Sequence, residues 1–223
     1  MKRMISLVVG ALVMGTMAFG QVYSQNAVGY IKRSVNANEF VMIQTPFVNI
    51  DGSDHTIESL FGDSLPIGTT VFIWNGALQT YDSVQQLAAG FWNPQNVTIA
   101  RGQAMFMRPT AATDVFLLGE VPGTGTFAST DIPLVEGFNG IGNPYPTAIT
   151  LEDSGLEAVT AIGDIAFLWN QTAQTYDSVQ KLAAGFWNPP GTVIEPGDGI
   201  FLSFATAGGA TYTETPSYDW PTN

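Results

Sequence analysis

Short runs in which apolar and polar residues alternate with a period of two make up most of the chain, and Gly, Pro, Asn and Asp separate them. NAVGYIKRSV from Asn26, FVMIQT from Phe40, TTVFIW from Thr69, LQTYDSV from Leu78, QAMFMR from Gln103 and TDVFLLGEV from Thr113 have the length and the β-branched and aromatic content of strands. The strand from Asn26 carries a Lys-Arg pair and suits a sheet edge. Pro46 ends the strand from Phe40, because it supplies no donor for a ladder. Around Trp74 the alternation puts Phe72 and Trp74 on one face and Val71 and Ile73 on the other. Both faces are apolar, so this strand is predicted to be central or covered by a second unit. Asn75-Gly76 after it predicts a tight hairpin turn. Ile57, Leu60 and Phe61 predict one short helix, and Ser154 with Glu157 fits a capping box that opens a second. AAGFWNP from Ala88 is too bounded by glycine and proline for a helix.

The pattern is stated twice. FIWNGALQTYDSVQQLAAGFWNP from Phe72 returns as FLWNQTAQTYDSVQKLAAGFWNP from Phe167, an offset of 167 − 72 = 95, and within QTYDSVQQLAAGFWNP only Gln86 changes, to Lys181. Such a repeat sets the size of the folding unit. The chain is therefore read as a signal segment 1–20, a first β unit 21–121, a linker or wide turn 122–132, and a second β unit 133–223. The expected fold class is all-β and mainly antiparallel, with two related sandwich-like or barrel-like units and a short helical turn in each.

Aligning the copies sorts faces. Met105 and Met107 match Ile200 and Leu202 and are predicted to face a core; Ala104, Phe106 and Arg108 match Gly199, Phe201 and Ser203 and are predicted to face a groove, the partner unit or solvent. Gly102 and Gly197 are kept while Arg101 becomes Pro196, which predicts a turn with positive φ before the strand. The second hairpin lacks Asn-Gly and is predicted to have a longer or less ideal turn. Tyr218 and Trp220 in the tail are expected near the surface or packed back on the body.

Composition narrows the classes. The chain has 223 residues, 45% hydrophobic and 12% charged, with 24 Gly and 13 Pro, a balance that suits a folded, turn-rich protein. Lys2 and Arg3, the apolar run Met4 to Phe19, and Ala18 and Gly20 before Gln21 have the form of a cleaved bacterial signal peptide. The run is shorter than the roughly 20 residues of a membrane span, and no later segment resembles one, so no integral membrane segment is expected after cleavage. Absence of cysteine excludes disulfides and thiolate sites. Removing the two basic signal residues leaves 5 − 19 = −14, a surface that repels nucleic acid.

GFNGIGNPYPT from Gly137, the x-W-N strand at Phe167 to Asn170, Tyr176 to Ser178, and the Pro-Gly-x-Gly strand at Pro196 to Phe201 resemble segments of signal-bearing bacterial secreted and surface β-repeat proteins of uncharacterised function. The resemblance covers nearly the whole mature chain. It implies a β fold and a secreted, extracellular or cell-surface location, with the periplasm as the alternative; it implies no activity.

The chain shows no nucleophile elbow, phosphate loop, zinc motif or dinucleotide fingerprint, and no catalytic residue is assigned. The repeated Asp82 and Asp177 form the one carboxylate pair that glycoside chemistry could use, and each equally suits a solvated strand position. Asp51, Asp54 and Glu58 are weak calcium candidates without EF-hand spacing, and no cofactor other than calcium is expected; His55, beside them, reads as an exposed loop residue. Trp74, Tyr81, Trp92, Phe106, Trp169, Tyr176, Trp187 and Phe201 are the candidate residues for a glycan or for an interface. The preferred expectation is a non-catalytic structural protein that associates with itself or with another surface protein, the alternative a carbohydrate-binding module.

Overall fold

The computed structural model describes residues 27–123 and 125–219. The expected signal peptide and Trp220 lie outside the described residues. The first unit comprises β1 (Val28–Val35), β2 (Val41–Gln44), β3 (His55–Thr56), α1 (Ile57–Phe61), β4 (Thr70–Asn75), β5 (Thr80–Ala88), β6 (Phe91–Asn93), β7 (Thr98–Ile99), β8 (Ala104–Arg108) and β9 (Thr113–Glu120). The second comprises β10 (Thr130–Leu134), β11 (Gly137–Gly142), β12 (Ile149–Thr150), α2 (Leu156–Val159), β13 (Ile165–Asn170), β14 (Thr175–Ala183), β15 (Phe186–Asn188), β16 (Val193–Ile194), β17 (Gly199–Phe204) and β18 (Ala210–Glu214).

The strand pairings repeat one for one. A five-stranded sheet runs β2-β8-β4-β5-β6 in the first unit and β11-β17-β13-β14-β15 in the second; β1 pairs β9 as β10 pairs β18, and β3 pairs β7 as β12 pairs β16. The named pairs are antiparallel. The protein is thus mostly antiparallel β, built as two similar sandwich-like units. In the first, Ile43, Val71, Ile73, Met105 and Met107 of the sheet pack with Val115 and Leu117 of β9 and Leu60 of α1. Ile141, Ala166, Ile200 and Leu202 pack with Tyr212 and Leu156 in the second. Met105 and Met107 therefore face a core, as the alternation requires.

Two local expectations are corrected. Asn75 pairs Thr80 and Asn170 pairs Thr175, so both hairpins turn over the same number of residues. The side chains of Asn75 and Asn170 accept from the backbone N–H of Leu78 and Ala173 at 3.2 and 3.0 Å, and Gln79 and Gln174 take φ +53° and +52°. The Asn side chain and a left-handed Gln set this turn; the glycine of Asn-Gly does not, which is why its loss leaves the second turn unchanged. The capping box lies in α1, between Thr56 and Ser59, while α2 begins at Gly155 with no side-chain cap. Ser154 donates instead to the Leu151 carbonyl at 2.9 Å, and Glu157 turns toward Lys181.

The one change in the repeated phrase falls in a buried place. Gln86 is fully buried, with its amide nitrogen 2.9 Å from the Leu65 carbonyl in the better-satisfied orientation. Lys181 is also buried, and its ammonium donates to the carbonyls of Glu157 and Thr160 at 2.7 and 3.0 Å and pairs with the Glu157 carboxylate at 2.9 Å. Burial pushes the Glu157 carboxyl up, but bonds from Gly185 N–H, Lys181 and Trp187 outweigh it and hold the group below its ordinary value. Removing only the cation leaves that carboxylate with the Gly185 and Trp187 N–H groups but no counter-charge, and leaves the Thr160 carbonyl without its donor. Lys181→Met is expected to lower the urea-unfolding free energy by about 3 kcal/mol, and Lys181→Gln by clearly less, because glutamine can still donate to the carbonyls. Equal losses in the two variants would contradict the ion-pair account.

Candidate functional site

The second apolar face of each five-stranded sheet meets its counterpart, making a seam between the units. Met42, Ala104, Phe106 and Phe201 are buried there, flanked by half-buried Phe40, Phe72, Trp74, Phe167 and Trp169. Phe106 stacks on Phe201 at 6.3 Å and 29°. Trp74 meets Phe201 edge to face at 5.3 Å, and Trp169 meets Phe106 the same way at 5.0 Å. The contacts are related by a pseudo-twofold axis that runs between the phenylalanines.

Polar groups obey the same axis. The Trp74 indole N–H donates to the Phe138 carbonyl at 2.7 Å, and that of Trp169 to the Phe40 carbonyl at 3.0 Å. The Gln79 amide accepts from Phe138 N–H and donates to its carbonyl at 2.8 and 3.0 Å; the Gln174 amide does both at Phe40, at the same distances. Gly142 N–H donates to the Gly102 carbonyl at 2.9 Å and Gln44 N–H to the Gly197 carbonyl at 3.0 Å. Gly102 and Gly197 have φ +81° and +84°, the turn predicted before the strand, and this turn presents their carbonyls to the other unit.

Tyr81 and Tyr176 sit where the seam opens to solvent. Each is about two-fifths exposed, and their hydroxyls interact with each other. Burial of the rings raises both phenol pKa values; the charge of Tyr81 raises that of Tyr176 further. Beside them Trp74, Tyr81, Phe138, Phe167, Tyr176 and Phe201 line an apolar groove of about 310 Å³. In the related place on the first unit the Arg108 guanidinium lies 5.6 Å from the Phe40 ring, whereas Ser203 occupies the matching position beside Phe138, which is 44% exposed. One side of the seam is capped by a cation and the other is open.

Beyond the seam each sheet runs on uncovered. β6 pairs only with residues 85–88 of β5, and β15 only with residues 180–183 of β14. Among the described residues nothing pairs with the outward edge of 80–84 or of 175–179. Phe91 and Phe186, on the faces opposite Trp92 and Trp187, are 44% and 42% exposed, and Leu87 and Leu182 stand beside them, also exposed.

The sequence candidates divide accordingly. Trp74, Tyr81, Phe106, Trp169, Tyr176 and Phe201 are brought together at the seam. Trp92 and Trp187 are not: both are 0% exposed and lie in the unit cores, where the indole N–H groups donate to the Gly62 carbonyl and to Glu157, so neither can meet a glycan or a partner. The calcium candidates do not converge. Asp51 binds Ser53, Asp54 accepts from Arg101 N–H, and Glu58 accepts from Asn96 N–H; among the described residues no three His, Cys, Asp or Glu side chains gather as a metal site. Asp82 and Asp177 each hold the Asn of their own hairpin, at 3.1 and 3.0 Å. Phe40, Phe138, Gln79 and Gln174 are missed by the sequence reading, although the repeated Gln beside TYDS is visible in it.

His55 is 3% exposed, not a solvated loop residue, because β3 pairs it with Ile99 under α1. Its Nδ1 lies 3.3 Å from the Ser59 hydroxyl, and its Nε2 is buried without a partner. Comparison of the chain with family models, with curated proteins and with solved structures returns no match.

Burial lowers the His55 pKa below 6.5, with the Asp54 charge opposing. The folded state therefore holds the neutral ring, so its contribution to stability is complete above about pH 6.5 and is lost as the pH falls toward the lowered folded value. Unfolding free energies measured across this window are expected to fall more steeply with acid for the wild type than for His55→Gln. Parallel curves would contradict the buried neutral histidine.

Proposed function

We propose that the protein is an exported, non-catalytic structural protein that assembles with further copies of itself through the uncovered faces of β5–β6 and β14–β15. The observation that carries this reading is the repetition of one exposed apolar face, Leu87 with Phe91 and Leu182 with Phe186, on both units. Those faces continue the surfaces through which the two units already pack on each other inside one chain. A second copy is thus the partner whose chemistry matches, and two such faces per chain permit extended assembly. Docking uses the face and not the open strand edge, because Asp82 and Asp177 stand exposed on that edge and repel an incoming acidic copy.

The aromatic rings of the seam give less support to a glycan platform. Trp74 meets Tyr81, and Trp169 meets Tyr176, at 74°, so the rings do not form a flat stacking surface.

Light scattering of the signal-less protein is expected to show mass rising with concentration. The rise should be steeper in about 0.5 M salt, which screens the repulsion between acidic copies. Replacing Phe91 and Phe186 together by Ser should return the protein to a monomer that still melts in one cooperative transition, since both rings are partly exposed and lie outside the unit cores. A wild type that stays monomeric at high concentration in low and high salt would refute the proposal.

A further inference from the structure

The pseudo-twofold axis that relates the units also relates two clefts at the ends of the seam, and the two have diverged. The cleft in which Trp74 stands has about 320 Å³ and is lined by Ile132, Pro133, Val135 and Ile141, with Arg101 and Asp131 beside them. Its counterpart at Trp169, of about 410 Å³, is the more polar of the two: Arg33, Gln171, Asp177 and Asp198 stand in it over an apolar floor that includes Met42 and Leu168. Three substitutions at matching positions contribute to the change: Leu134 corresponds to Arg33, since their partners Ala210 and Val115 stand at the 95-residue offset, Gly76 corresponds to Gln171 and Gln103 to Asp198.

The polar groups at the second cleft are held in place. Arg33 donates to Asp198 Oδ1 at 2.7 Å and to the Pro196 carbonyl at 2.8 Å. Asp177 Oδ2 accepts from Asn170 at 3.0 Å, and the Gln171 amide donates to the Ser34 carbonyl at 2.7 Å. Fixed this way, Asp198 Oδ2, Asp177 Oδ1 and Gln171 Oε1 remain as acceptors without a protein partner among the described residues, and Arg33 Nε and Nη1 remain as donors. The Trp169 indole N–H is spent on the Phe40 carbonyl, so what this ring offers the cleft is carbon.

We propose that this cleft binds a neutral saccharide unit. The charges decide the ligand class. An anion meets the carboxylates of Asp177 and Asp198 on a strongly acidic chain; Arg33 and Asp198 neutralise each other, so a cation finds only the single exposed carboxylate of Asp177. A neutral polyol uses separated donors and acceptors together, and places its C–H surface on the indole carbons. The site is independent of the assembly faces, which involve none of these residues.

Titration of the signal-less protein with D-glucose, D-galactose, D-mannose and N-acetyl-D-glucosamine, followed by tryptophan fluorescence and calorimetry, tests it. At least one sugar is expected to bind saturably with a Kd on the order of millimolar, the scale for a ligand of about a dozen heavy atoms. Galacturonate, an anionic hexose, should bind more weakly than galactose. Asp177→Ala and Gln171→Ala should each weaken binding about tenfold, while Asp82→Ala, the matching change in the first unit, should leave it unchanged. Melting curves of the variants separate loss of binding from loss of fold. No saturable signal up to about 100 mM of any of the four sugars, or equal effects of Asp82→Ala and Asp177→Ala, would overturn the proposal.

Discussion

Both faces of each five-stranded sheet are apolar at its centre, and burying both there removes the most hydrophobic surface from water. One face is covered within the unit, by the β1–β9 or β10–β18 ribbon and a short helix. The centre of the other is covered by the second copy of the same surface, and Phe106 stacked on Phe201 is where the copies meet. The duplicated sequence thereby becomes a duplicated surface folded against itself. Backbone and amide groups at the rim are satisfied in matching pairs across the axis, so the seam is specified by hydrogen bonds as well as by ring packing.

The same constraint explains where the molecule departs from symmetry. Residues between β9 and β10 pass over Arg101, whose guanidinium lies 4.3 Å from the Phe127 ring and 5.3 Å from that of Tyr145 and donates to Thr130. Burial lowers the Arg101 pKa. The corresponding Pro196 offers no side-chain donor, and the second unit runs on into the residues after β18. There Tyr218 donates to the Pro122 carbonyl at 2.8 Å, closing the tail onto the connection. Arg108 over Phe40 against Ser203 beside Phe138, and Arg33 against Leu134, are further places where the copies differ by a charge. They give the two ends of the seam different chemistry on a common backbone.

Much of the fold is legible in the sequence because strand alternation and the repeat are both local signals. Val71 and Ile73 against Phe72 and Trp74, and Met105 and Met107 against Phe106, sort onto their faces by parity alone. The site is less legible. Parity identifies Phe106 and Phe201 as the aromatics of the second face but does not say that they meet. Trp92 and Trp187 look like Trp74 and Trp169 in the sequence; they are buried because β6 and β15 fold back as edge strands, a pairing fixed by register and not by composition. His55 was hidden for a related reason: a polar neighbourhood in sequence coincides with a bridge to Ile99, more than forty residues away in the chain. The left-handed Gln79 and Gln174 left no mark beyond their repetition.

The claim that the two sheets stand only by packing on each other is tested most directly by a double-mutant cycle on Phe106→Leu and Phe201→Leu, read by calorimetric unfolding. The account predicts one cooperative transition in the wild type and a coupling between the two sites of about 0.5–1.5 kcal/mol. Two separate transitions, or effects that add to within about 0.3 kcal/mol, would contradict it.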